Sequence, residues 1–252
     1  MAVPLTIDLN CDLGESFGRY KLGDDAAIMQ WITSANVACG YHAGDPQVMA
    51  ETVALAAKHQ VAIGAHPGYP DLQGFGRRQM ALSSEEVRGI ILYQLGALYG
   101  FTQAAGVPLV HVKPHGALYN FAARDRATAE AIAGAVAAFD PGLILVGLAG
   151  SLLIEAGKQA GLQVANEGFP DRVYLSTGEL MPRNQPGAVI TDPEAVADSA
   201  VQLAKEGINV AGKKISIDTL CLHGDNPQAV ANAKHVRRRL EDAGFQIRAL
   251  NH

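Results

Sequence analysis

The stretch VHVKPHGALYN, residues 110–120, decides how this chain is to be read. Val110 and Val112 alternate with polar residues as in a half-buried β-strand, but Lys113 and His115 stand where a core strand would continue with apolar side chains. Pro114 helps to end the strand. In a parallel α/β fold, a strand that finishes in ionisable residues fits its C-terminal end, where loops from neighbouring strands converge and ligands bind.

The rest of the chain repeats that unit. Apolar runs at 5–11, 34–40, 61–66, 143–149, 162–168 and 215–223 join 109–115 as strands. Ala-rich amphipathic segments near 24–32, 46–59, 84–105, 124–138, 151–160, 193–206 and 227–243 read as the helices between them. Ser83 with Glu86 predicts a capping box, and Asp45-Pro46, Asp192-Pro193 and Asn226-Pro227 predict an N-cap followed by proline at the first helical position. Strict alternation implies parallel strands and right-handed crossovers. Seven units in 252 residues predict an α/β fold, a seven-stranded (β/α) TIM-like barrel, in one domain over 1–252. A doubly wound open sheet is the alternative. The irregular segment 169–190 is expected to pass over one face.

Bulk properties exclude several classes. A formal net charge of −5 offers no basic surface for nucleic acid. No apolar run reaches the ~18 residues of a membrane span, and MAVPLTIDLNCDL lacks the charged start and apolar stretch of a signal peptide. Cys11, Cys39 and Cys221 are odd in number and widely spaced, which suits reduced thiols in the cytoplasm.

The polar residues gather at strand ends. The first strand carries Asn10, Asp12 and, just past it, Glu15; the second leads to His42 and Asp45, the third to His66, the fourth to Lys113 and His115. The sixth ends at Glu167, with Asp171 and Arg172 in its loop, and the seventh at His223 and Asp225. Period two puts Asp8, Asn10 and Asp12 on one face and Ile7, Leu9 and Cys11 on the other, with His111 and Lys113 opposing the two valines. His66 shares its face with Ala62 and Gly64, which leaves room beside it. A single strand-end histidine is more often a packing residue than a catalyst, and Asp45 is accounted for as an N-cap. A lysine, several histidines and several carboxylates at one rim are costly to bury without partners or a ligand, so the set points to an active site.

Two further motifs bear on phosphate. GAHPGYPDLQGFGRR (64–78) suits an anion-wrapping loop with Arg77 and Arg78 as guanidinium forks, or else a tight surface loop with solvated arginines. GINVAGKK (207–214) imitates a phosphate-binding loop, but it follows a helix, precedes a strand and ends in Lys214 where a hydroxyl is required. It is read as a helix C-terminus and turn.

Taken together, DLNCDLGE (8–15), NVACGYHAGDP (36–46), GAHPGYPDLQGFGRR (64–78), VKPHGALYN (112–120), EGFPDRVY (167–174) and LHGD (222–225) resemble the LamB/YcsF family. The resemblance implies a barrel of the glycoside hydrolase/deacetylase type. It also implies a cytoplasmic ATP-hydrolysing 5-oxoprolinase, acting with subunits B and C to open 5-oxo-L-proline (pyroglutamate) to L-glutamate, with ATP and its Mg²⁺ as co-substrate.

Phosphorylating the lactam oxygen would turn an inert amide into an activated imidate open to water, which calls for cations, a base and a proton donor. On residue type and position, Lys113 is the phosphate or lactam-oxygen partner, with Arg77, Arg78 or Arg172 as helpers. His115, His66 or His223 would move protons, oriented by Asp12, Glu15 or Asp225. His42, Glu167 and Asp171 complete the substrate-binding candidates. The resemblance to the wider deacetylase superfamily, whose members hold one divalent metal through an Asp and two His, implies a second reading: a Zn²⁺- or Mn²⁺-type amide hydrolase or deacetylase of an N-acetylated sugar, with Asp12, His66 and His115 as the counterparts and His42 or His223 as substitutes. A third is a non-catalytic substrate-binding role.

Overall fold

The computed structural model describes residues 5–175, 177–183, 185–210, 212–222 and 229–250. Among these residues ten strands and eight α-helices follow one another. They are β1 (Leu5–Leu13), α1 (Asp25–Ile28), β2 (Ser34–Ala38), α2 (Pro46–His59), β3 (Ala62–His66), α3 (Ser84–Ala105), β4 (Leu109–Val112), α4 (Gly116–Ala122) and α5 (Arg126–Phe139). Then come β5 (Ile144–Leu148), α6 (Leu152–Gln159), β6 (Gln163–Gly168), α7 (Pro193–Glu206), β7 (Ile208–Val210), β8 (Lys213–Ile215), β9 (Thr219–Leu222), α8 (Ala229–Asp242) and β10 (Phe245–Ile247). Strands β1 to β6 and β9 pair in parallel, and β9 returns to β1, closing the predicted seven-stranded barrel. β10 lies outside the ring against the start of β1. Among the described residues, no helix is long and apolar enough to cross a membrane.

Local signals place the helices as expected. Asp45 accepts from the Gln47 and Val48 amides ahead of Pro46, and Ser83 with Glu86 forms a complete capping box. Asp192 caps α7. The Asn226-Pro227 signal and the end of the 215–223 run fall outside the described residues.

Period two holds through β1. Ile7, Leu9, Cys11 and Leu13 join the main apolar cluster between sheet and helices, while Asp8, Asn10 and Asp12 face the barrel axis. A TIM-barrel interior is usually filled by layers of branched apolar side chains. Here much of it is polar and hydrogen-bonded in one direction. His111 Nε2 donates to Asn36 Oδ1 (2.7 Å), Asn36 Nδ2 to Asn10 Oδ1 (2.7 Å) and Asn10 Nδ2 to Thr219 Oγ1 (2.7 Å). Thr219 then donates to Asp8 Oδ2 (2.5 Å). Asp8 also accepts from the Thr33 and Ser34 hydroxyls, and burial raises its carboxyl to about 6. Ile144, Val146 and Ala165 supply an apolar sector of the interior. The room expected beside His66 is taken by His111, because any side chain at Gly64 would overlap that ring.

Four details depart from expectation. β4 stops at Val112, so Lys113 and His115 lie beyond it, and α4 follows at once. That helix has seven residues and no side-chain cap, so neither periodicity nor a start signal announced it. The predicted 215–223 strand is two elements, and its first part pairs antiparallel with β7. GINVAGKK falls on this hairpin, with Gly207 ending α7 in a positive-φ conformation. Finally, Val110 does not face the helices. A register shift between β3 and β4 turns it toward Ile144, Val146 and Ala165, and only Val112 stays in the helix-facing core.

Candidate active site

A cavity of about 500 Å³ opens at the C-terminal ends of the barrel strands. Asp12, Glu15, His66, Lys113 and His115 line its deep part. Arg77, Arg124 and Arg183, all exposed, line its outer wall, with the apolar Leu148, Phe169 and Leu180 also contributing.

Lys113 is buried, and its three ammonium hydrogens face Glu167 Oε1 (2.7 Å), Asp12 Oδ1 (3.0 Å) and Asn10 Oδ1 (3.1 Å). The Cys221 thiol lies 3.2 Å away. Burial alone would lower the lysine's pKa, but Asp12 and Glu167 reverse that and hold the ammonium well above its usual value. Burial likewise works against an ionised Asp12, yet its neighbours His66 and Lys113 hold it well below the carboxylate range. Glu167, fully buried, also accepts from Tyr119 Oη at 2.7 Å. It lies beneath the cavity and anchors Lys113.

The histidines are oriented by backbone. His66 Nδ1 lies 2.7 Å from the Lys113 carbonyl, and His115 Nε2 lies 2.8 Å from the Phe75 carbonyl. A carbonyl only accepts, so both of those nitrogens carry hydrogen. In the neutral rings the remaining two, His66 Nε2 and His115 Nδ1, are the ones without hydrogen, and they lie 2.9 Å apart. Asp12 Oδ2 lies 3.3 Å from His66 Nε2, and Glu15 Oε1 lies 3.6 Å from His115 Nδ1. Bonds of about 2.0–2.2 Å to one ion would space neighbouring ligand atoms roughly 3–3.5 Å apart, so the set fits a divalent cation. Glu15, His42, His66 and His115 present ligand atoms within 4.8 Å of one another.

His42 does not line the cavity. It is fully buried, stacked on His115 (3.7 Å between centroids, 4° between planes), with Nε2 3.2 Å from Glu15 Oε1. Parallel rings cannot both aim an in-plane lone pair at the same ion, so His42 is placed to serve Glu15. Its Nδ1 has no hydrogen-bond partner among the described residues, and burial with the neighbouring His115 pushes its pKa well down. Burial and His66 push His115 to about 3. The 64–78 loop reaches these rings through Gly76, whose φ of +61° and contact with His42 and His115 leave no space for a side chain.

The other expected residues are placed as follows. Arg78 points away from the cavity and is tied to Asp71 within its loop. Arg172 lines the cavity but donates to the Met181 carbonyl (2.5 Å) and the Ala188 carbonyl (3.3 Å), fastening the 169–190 loop that forms part of the wall. Asp171 does not line the cavity, and its backbone carbonyl accepts from the Ile190 amide. His223 and Asp225 lie outside the described residues. Tyr119, Arg124 and Arg183 line the cavity although the sequence pattern does not mark them. Arg124 reads as the solvated start of a helix, whereas the 169–190 excursion is a usable pointer to Arg183.

The parallel barrel thus gathers carboxylates, imidazoles and a buried lysine at the C-terminal ends of its strands. The chain belongs to the LamB/YcsF family, whose profile matches residues 7–252. It is 57% identical over 247 residues to the 5-oxoprolinase A component of Syntrophobacter fumaroxidans, covering 96% of this chain and 98% of that one. It is 54% identical to the Bacillus subtilis protein of the same name, covering 97% of each. The crystal structure of the lactam utilization protein from Thermus thermophilus superposes with a TM-score of 0.90 at 52% identity, covering 97% of this chain and all of that one. The catalytic domain of a peptidoglycan N-acetylglucosamine deacetylase from Eubacterium rectale shares the fold alone, at a TM-score of 0.54 and 11% identity over 99% of this chain and 90% of that one.

Proposed function

We propose that this chain is the A component of an ATP-hydrolysing 5-oxoprolinase in the cytoplasm, working with B and C components to convert 5-oxo-L-proline to L-glutamate. The observation that carries the reading is identity above half, over nearly the whole length, to proteins named for that activity. The strand-end site supports it, because opening a lactam is amide hydrolysis. Coupling to ATP would proceed by phosphorylation of the lactam oxygen. One water then adds to the ring carbonyl carbon, the C–N bond breaks toward nitrogen, and the resulting acyl phosphate takes a second water to release phosphate. The balance is 5-oxoproline, ATP and two waters in, with glutamate, ADP and phosphate out.

The residues take these parts. Glu15 faces the cavity with His42 against it and is placed to receive the proton of the attacking water. Lys113 has its three hydrogens committed, so it acts as a positioning residue that keeps Asp12 ionised and fixed, in place of a phosphate ligand. Asp12, His66 and His115 would hold a divalent cation such as Zn²⁺ or Mn²⁺. Such an ion would polarise the carbonyl or acidify water. The bare nitrogens of His66 and His115 also favour a second reading, metal-dependent amide hydrolysis without ATP.

One experiment separates the two. The chain is mixed with and without its B and C partners, ATP and 5-oxoproline, and glutamate and phosphate are followed separately. Glutamate formed only in the complete mixture supports the proposal. Amide cleavage by this chain with metal and no ATP replaces it with the second reading.

A further inference from the structure

The outer wall of the cavity carries a charge pattern that the ring-opening chemistry leaves unused. Arg77 comes from the loop after β3, Arg124 from the turn between α4 and α5, and Arg183 from the 169–190 loop. The fold alone brings these three segments together. Arg172 adds a fourth guanidinium, which spends hydrogens on two carbonyls; burial, followed by the like charge of Arg183, lowers its pKa. Among the described residues Glu179 is the carboxylate of that outer wall, since Asp12 and Glu15 sit in the deep part beside lysine and histidines. The Arg124 side chain makes no ion pair among the described residues. Leu148 and Phe169 give the same cavity apolar surface.

We infer that Arg124 and Arg183, joined by Arg77, form a subsite for an oxyanion carried by the substrate, so that the cavity reads an amide in its depth and an anion at its wall. This inference rests on the ring-opening reading, in which the substrate is a lactam with apolar methylenes and a carboxylate, and gains a phosphoryl group on activation. Guanidinium forks match either oxyanion. The apolar surface suits the ring between them.

Equilibrium binding to the purified chain tests it with 5-oxo-L-proline, pyrrolidin-2-one (the same ring without the carboxylate) and inorganic phosphate as probes. If the carboxylate is the ligand, R124Q/R183Q weakens 5-oxoproline about tenfold or more and leaves pyrrolidin-2-one unchanged. If phosphate binding falls while 5-oxoproline holds, the phosphoryl group is the ligand and the subsite stands. Unchanged binding of both anions overturns it, as does a wild-type chain that binds neither. Should the double variant not fold, R124Q alone decides by the same criteria, because its side chain is exposed. Wild-type turnover in the complete mixture is measured alongside. Turnover with unaffected binding removes the subsite only, whereas absent turnover removes the ring-opening reading.

Discussion

In their neutral forms His66 and His115 meet through the two nitrogens that carry no hydrogen, 2.9 Å apart, because the Lys113 and Phe75 carbonyls hold the other nitrogen of each ring. Two lone pairs at that distance repel unless something positive lies against them. With Asp12 and Glu15 beside them, the expected filler is a divalent cation. Metal analysis after dialysis against Zn²⁺ or Mn²⁺ should find one ion per chain, and H115A should lose it. Excess metal at about a hundred times its Kd should stabilise the wild type by ~2.7 kcal/mol, read as a higher Tm. A chain whose Tm ignores both metal and chelator contradicts this.

Lys113 should matter as much to folding as to turnover. In K113M, Asp12 and Glu167 keep their places without the ammonium between them. Removing one partner of a buried ion pair costs about 3–5 kcal/mol. Urea unfolding should show a loss of that order, and K113M/E167Q should recover part of it. Coupled turnover should vanish in K113M and in H115A. A strictly additive double variant would count against the bridge.

His111 gives a pH dependence of defined sign. Burial, with Lys113 nearby, pushes it down to about 3, so it stays neutral in the folded chain while the unfolded chain takes a proton near 6.5. The unfolded state therefore binds more protons between those values, and stability falls as pH falls through that window, by about 1.4 kcal/mol per pH unit from this group. Asp8, raised to about 6, acts in the opposite sense between its unfolded value of 3.8 and 6. H111Q keeps an amide donor for Asn36 and should flatten the acid side of the wild-type curve. Urea midpoints from pH 7 to pH 4 would show this, and identical slopes for the two proteins would refute it.

Gly64 should tolerate no side chain. G64A places a methyl against the His111 ring, an overpacking that costs about 1–3 kcal/mol. Adding H111A should return part of that loss, which thermal melts of the single and double variants can compare.

The barrel was legible because strand–helix alternation and period two report the same geometry, as in the split of Asp8, Asn10 and Asp12 from Ile7, Leu9 and Cys11. The pattern failed at Val110, where a register shift suspends the period. Lys113 could be recognised as a site residue, but its role could not. Its acceptors come from β1 and β6, and no local spacing shows that three of them converge on one ammonium. His42 was found for the same reason as His66, yet only the stacking geometry sets it behind His115. Arg124 was hidden because a cation at a helix start looks solvated unless a distant loop closes over it.

The donor chain from His111 through Asn36, Asn10 and Thr219 to Asp8 has a consequence for how this lineage can change. Hydrocarbon interiors accept a swap at one position if volume is kept, because dispersion has no direction. Here each side chain hands its hydrogen to the next, and a single replacement strands a donor on one side and an acceptor on the other. Divergence inside this barrel should therefore advance by matched exchanges across its interior, with the residue on β4 or β9 changing alongside its counterpart on β2 or β1.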